Sequence, residues 1–157
     1  GQYYLYYDIP NGNEYVATSD SPTGPFKNGV QIEGPKQIDP NIFIDDDGQA
    51  YYFWGQFSAK GAKMNPDLKT LDWSTYMDGI VTEADHYFHE GSFVFKRGEY
   101  YYFTYADISQ NKRPTSIGYA MSKSPMGPYE YKGVIVNNAG CDPETWNNHG
   151  SIDQFAN

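Results

Sequence analysis

The chain has 157 residues, enough for one ordinary domain with a sizeable core, and a net charge of −9 without any run of lysine or arginine. That sign excludes a polyanion-binding surface, so nucleic acid is not an expected partner. Aromatic residues make up 18%, sixteen of them tyrosine, yet no apolar stretch approaches the roughly 20 residues of a membrane span, and the lone Cys141 excludes an internal disulfide framework.

In chain order, residues 1–8 read as a strand, 13–19 as a second and 26–33 as a third, punctuated by Gly12 and by the Asp20-Ser-Pro-Thr-Gly-Pro25 cluster. A new block opens at 37–44, turns at Asp45-Asp-Asp-Gly48 and returns along 50–54. Residues 61–64 and 79–82 are its predicted outer strands, with the polar Asn65-Pro-Asp67 turn between them. The next block runs 89–96, 100–105, 116–122 and 129–136. Residues 147–155 are predicted as one more first strand, and no helical pattern exceeds a turn or two.

The blocks repeat. Gly1-Gln-Tyr-Tyr-Leu-Tyr-Tyr7, Gly48-Gln-Ala-Tyr-Tyr-Phe-Trp54 and Gly98-Glu-Tyr-Tyr-Tyr-Phe-Thr104 each follow a turn glycine with an aromatic strand. Ser21-Pro-Thr-Gly-Pro-Phe26 returns as Ser124-Pro-Met-Gly-Pro-Tyr129. Repetition of short aromatic strands between Gly/Pro turns predicts an all-β fold of β-propeller blades, each a four-stranded antiparallel sheet. The division is a partial blade over 1–36, blades over 37–86 and 87–140, and a first strand of the next blade over 147–157. Propellers use roughly four or more blades, so about three here imply a piece of a longer chain or completion by a partner. Open blade edges favour self-association.

The first strands carry residues that an apolar strand does not need. Asp39 lies in Ile38-Asp-Pro-Asn-Ile-Phe43, Glu90 in Tyr87-Phe-His-Glu-Gly-Ser-Phe93 and His149 in Asn147-Asn-His-Gly-Ser-Ile152, all at nearly the same phase of successive repeats. Buried carboxylates are costly unless paired, so the three positions point to a site at the propeller axis; the competing reading has each one capping or bridging blades. Two carboxylates amid aromatic residues suit glycoside hydrolysis, in which one acid protonates the leaving oxygen and another carboxylate activates water or attacks. Phe88 and Phe93 flank Glu90 as an apolar wall, the kind of setting that separates the proton affinities of two carboxyls.

Three ordered segments carry a family resemblance: Ile38-Asp-Pro-Asn-Ile-Phe-Ile-Asp-Asp-Asp-Gly-Gln-Ala-Tyr51, His89-Glu-Gly-Ser-Phe-Val-Phe-Lys-Arg-Gly-Glu-Tyr-Tyr-Tyr102 and Ile117-Gly-Tyr-Ala-Met-Ser-Lys-Ser-Pro-Met-Gly-Pro-Tyr129. Together they resemble glycoside hydrolase family 43, above all its arabinofuranosidase and xylosidase members, over essentially the whole chain. The resemblance implies a five-bladed propeller that cleaves arabinose- or xylose-containing oligo- and polysaccharides with inversion. It implies Glu90 as general acid and Asp39 as the aspartate that tunes and orients it. His149 becomes the axial histidine near calcium or ordered water at the propeller centre, with no organic cofactor. It also implies a secreted or periplasmic protein. The family's general base is an aspartate on an earlier blade, which this chain is expected to lack; Asp8 sits at a strand end and Asp45-Asp46-Asp47 in a turn.

Phe88, Trp54 and Trp146 are the aromatic residues expected to contact sugar, the alternative for two of Trp54, Trp73 and Trp146 being packing between blades. The Asp45–Gly48 run lacks the alternating ligands of an EF-hand and reads as a hairpin turn. Calcium prefers oxygen, so His149 is expected either to hold it through water or to play a purely structural role at the channel. His86 and His89 would face opposite sides of a strand, which argues against a shared metal.

Overall fold

The computed structural model describes residues 1–144 and 148–153. The first sheet holds β1 (Tyr3–Asp8), β2 (Asn13–Ser19) and β3 (Lys27–Lys36). The second holds β4 (Asn41–Ile44), β5 (Ala50–Trp54), β6 (Ser58–Met64) and β7 (Leu71–Thr82). A single helical turn, α1 (Glu83–His86), leads into the third sheet: β8 (Phe88–Arg97), β9 (Tyr100–Asp107), β10 (Ser116–Ser122) and β11 (Glu130–Val136). Within each sheet, strands neighbouring in sequence pair antiparallel, so each sheet is a meander, the form of a propeller blade.

The aromatic strands explain why these sheets stack. All five residues of β5 are buried. Because side chains alternate across a strand, Tyr51 and Phe53 join Phe43, Phe88, Tyr101 and Phe103 in a core between the second and third sheets. Tyr52 and Trp54 point the other way, into a core with Val16 and Ile32 of the first sheet. A strand covered on both faces loses its polar alternation, which is why β5 reads as an unbroken aromatic run.

Three elements differ from the sequence expectation. β7 begins at Leu71, well before residue 79, because its pairing with β6 survives a large bulge. Lys63 opposes Asp72, but Gly61 opposes Met77. Polar groups inside the bulge hold it: Asp72 accepts from the Ser74 N–H and hydroxyl at 3.0 and 2.6 Å, and Thr75 Oγ1 accepts from the Lys63 N–H at 2.9 Å. β4 starts at Asn41 rather than at 37, since Gln37 and Asp39 have φ of 142° and 59° and cannot continue a strand. Residues 148–153, within the predicted last strand, form none, and no strand among the described residues pairs with them.

The Asp45–Gly48 segment is a hairpin turn with Gly48 at φ 83°, closed by the Gly48 N–H to the Asp45 carbonyl at 2.8 Å. The Asp45 carboxylate reaches across to the next sheet, accepting from Lys96 Nζ at 2.8 Å and the Tyr101 hydroxyl at 2.6 Å. Burial works against its charge, but these donors outweigh burial and hold the carboxyl below its usual range. The acidic turn thus joins two sheets.

Candidate active site

Glu90 lies where β8 departs from regular pairing. Phe88 opposes Asp107, Glu90 opposes Ala106 and Phe93 opposes Thr104, so the register slips on both sides of the carboxylate. Bulges of this kind re-aim a side chain, and Gly91 supplies the left-handed backbone required, with φ 75°. Glu90 is 7% exposed. Its Oε2 accepts a hydrogen bond from Gln56 Nε2 at 2.7 Å.

Asp39 comes from the second sheet. Its φ of 59° is a conformation that aspartate tolerates better than most residues, and it turns the chain just before Pro40 and β4. Oδ2 accepts from the Gly91 N–H at 3.0 Å, which ties the Asp39 segment to the Glu90 bulge. His149 completes the group, lying so close over Gly91 that a Cβ there would run into the imidazole. Its neighbour Asn148 is anchored through Nδ2 to the Thr115 carbonyl at 2.6 Å. One donor atom from each of Asp39, Glu90 and His149 lies within 4.8 Å of the others.

Burial pushes the Asp39 carboxyl above its ordinary range. His149 and the Gly91 N–H oppose that shift, while Glu90 and Asp8 add to it. Two carboxyls this close resist joint ionisation, so the pair tends to retain a proton.

The aromatic expectations fare differently. Phe88 has no exposed surface and packs edge-on against Phe103 and Tyr105, so it cannot face a sugar. Trp54 is 2% exposed, sealed behind Trp73 and Tyr76. In both cases strands of the same sheet and the core against the neighbouring sheet together cover the ring. Trp146 lies outside the described residues. The exposed ring next to the acid is Phe57, lying 5.1 Å from the His89 ring. Sequence reasoning passed over Gln56 and Phe57, which sit in an unrepeated turn between β5 and β6; their only signal was Gly55, the turn glycine beside them. His86 and His89 share no site. His86 Nδ1 accepts from the Thr82 N–H at 3.1 Å, whereas His89 Nδ1 lies 3.4 Å from Glu83 Oε1.

The family model described as glycosyl hydrolases family 43 matches residues 1–155. The chain belongs to that family. A β-xylosidase of Xylanibacter ruminicola is 29% identical over 99% of this chain and 59% of its own length. An arabinoxylan arabinofuranohydrolase of Bacillus subtilis (strain 168) is 28% identical over 89% of this chain and 33% of its own length. Among solved structures, an α-L-arabinofuranosidase from Clostridium thermocellum superposes with a TM-score of 0.73 at 31% identity, covering 93% of this chain and 51% of that one. A β-xylosidase/α-arabinofuranosidase from a compost metagenome, solved with xylotriose in a calcium-free form, gives a TM-score of 0.72 at 27% identity, covering 86% and 53%. This family 43 chain therefore has the blades of a five-bladed propeller and spans about half the length of these structural relatives.

That this relative was described as a calcium-free form raises the question of whether these residues fit calcium. Calcium takes about six to eight oxygen ligands. The cluster offers two carboxylates and one nitrogen, with Asp39 Oδ2 and Glu90 Oε2 already accepting hydrogen bonds. These groups do not make a direct calcium shell.

Proposed function

We propose that this family 43 chain carries the acid side of a glycosidase site that hydrolyses arabinofuranosyl or xylosyl linkages of plant hemicellulose with inversion. The observation that carries the reading is the convergence of Asp39 and Glu90 from different sheets around Gly91, with His149 beside them. Glu90 is the general acid: its proton passes to the glycosidic oxygen as the bond to the anomeric carbon breaks. Asp39 is a positioning group, fixing the Glu90 bulge through the Gly91 N–H. His149 closes the cluster beside Gly91.

Inversion needs a second carboxylate about 6.5–9.5 Å from the acid, deprotonating a water on the opposite face of the sugar. The reading assigns no residue of this chain to that base. A calcium ion, were one bound, would be held through water by His149 and would take no part in the proton transfer. Polymeric hemicellulose lies outside cells, in keeping with a secreted or periplasmic setting.

The test compares the parent with Glu90→Gln on xylobiose and on p-nitrophenyl arabinofuranoside and xyloside, in buffer and with azide. Azide can attack the anomeric carbon without a base, releasing the leaving group and forming a glycosyl azide. The expected product has inverted configuration. Glu90→Gln should lose about 10²–10⁴-fold on xylobiose, whose leaving group needs a proton, and far less on the p-nitrophenyl glycosides. A retained configuration, equal loss on both leaving groups, or no reaction even with azide would each overturn the proposal.

A further inference from the structure

Gln56 occupies a turn more firmly fixed than its length suggests. Only Gly55, Gln56 and Phe57 connect β5 to β6, and two of them hold left-handed backbone, Gly55 at φ 118° and Phe57 at φ 64°. A side chain at position 55 would collide with the Ser58 carbonyl. Backbone hydrogen bonds clamp the turn to its surroundings. The Gly55 N–H donates to the Ile38 carbonyl at 3.0 Å, next to Asp39 in the chain. The Phe57 N–H donates to the His89 carbonyl at 2.8 Å, next to Glu90. The Glu83 N–H donates to the Phe57 carbonyl at 2.8 Å. The turn is therefore bound to the segments that carry both carboxylates, and Gln56 is the residue it points at Glu90.

We infer that Gln56 is a positioning residue for the acid: its amide N–H occupies Glu90 Oε2 as an acceptor and so reserves Oε1 for the proton. This rests on the reading of Glu90 as general acid. A carboxylic acid has one donating oxygen, and an N–H directed at the other favours one placement of the proton. An acid free to carry its proton on either oxygen would present the donating atom to the leaving group only part of the time. Strained backbone that the fold maintains beside a reactive group fits such a role. The other titratable groups facing Glu90 are Asp39 and His149, with Glu83 one residue further out through His89.

The experiment uses the intact chain with ¹³C-labelled glutamate side chains, Glu90 being assigned by its loss in Glu90→Gln. Gln56→Met keeps the length of the side chain and removes the donor. An amide donor stabilises the ionised carboxylate, so Gln56→Met should bind the Glu90 proton about 3–10-fold more tightly than the parent, in a chain that still unfolds cooperatively but at a lower midpoint. Gln56→Glu is the second variant: a further carboxyl facing Glu90, which already lies beside Asp39, should raise its proton affinity above the parent's by like-charge repulsion. In turnover with azide, Gln56→Met should lower kcat on xylobiose with little change in KM and little effect on p-nitrophenyl glycosides. An unchanged Glu90 titration in both variants overturns the inference. So does a fall in proton affinity, which would mean that the amide presents its carbonyl. Because the titration needs no catalysis, it can fail or succeed independently of the glycosidase reading.

Discussion

Gly91 has two neighbours that a larger residue would disturb. Its N–H serves Asp39, while the imidazole of His149 occupies the space where a Cβ would stand. Its φ of 75° also disfavours any side chain. Gly91→Ala should cost about 1–2 kcal/mol from the backbone alone and push His149 away from the two carboxylates. Urea unfolding measures the first effect, and the chemical shifts of the His149 ring report the second. Asp39, Glu90 and His149 were legible in the sequence because ionisable residues recur at one phase of otherwise apolar or glycine-rich strands. The contact between His149 and Gly91 was not legible, since it depends on a left-handed backbone that the aligned Gly-Ser pairs do not reveal.

At the level of single elements, hairpins were read well where turn chemistry is explicit and poorly where pairing is irregular. The turn at Asp45-Asp-Asp-Gly48 announces itself, yet its first carboxylate spends its charge on the next sheet. Tyr101→Phe removes the hydroxyl from Asp45 and leaves the ring in the core. It should cost about 1.5–3 kcal/mol, as expected for a hydrogen bond to a charged group, read as a lower midpoint in urea unfolding. The bulge in β7 escaped notice because Asp72, Ser74 and Thr75 are turn residues by composition, here satisfying one another inside a strand pair. Trp54 and Phe88 were misplaced for a related reason. A strand buried on both faces offers no alternation to show which rings meet solvent.

Across the whole molecule, the seam between the first two sheets contains an unusual acid. Glu14 is fully buried, accepts from the Tyr52 hydroxyl at 2.6 Å, and leaves Oε1 without a hydrogen-bond partner among the described residues. Burial pushes its carboxyl from 4.5 up to about 7; the Tyr52 hydroxyl opposes the shift, and the charges of Asp8 and Asp39 add to it. A raised carboxyl binds its proton more tightly in the folded state. Its contribution is therefore full below pH 4.5 and is lost as pH rises through about 7. The parent should lose up to about 3 kcal/mol across that window, and Glu14→Gln should flatten the dependence. Unfolding midpoints measured from pH 4 to 8 provide the check. Stacked meanders were visible in the repeated aromatic strands, but nothing local in Asn13-Glu-Tyr15 reveals that this glutamate enters a seam.

The hydrogen bond from Gly91 to Asp39 spans 52 positions of the sequence, and His149 arrives later still. Each meander is built from neighbouring strands and can form soon after its own residues meet. The acid cluster has no such local route, because its members come from segments that touch only after the sheets have docked. Secondary structure should therefore appear early in folding and the reactive group last. Until docking, Asp39 and Glu90 remain ordinary solvated carboxylates, and the molecule acquires its chemistry in the same step that completes its shape.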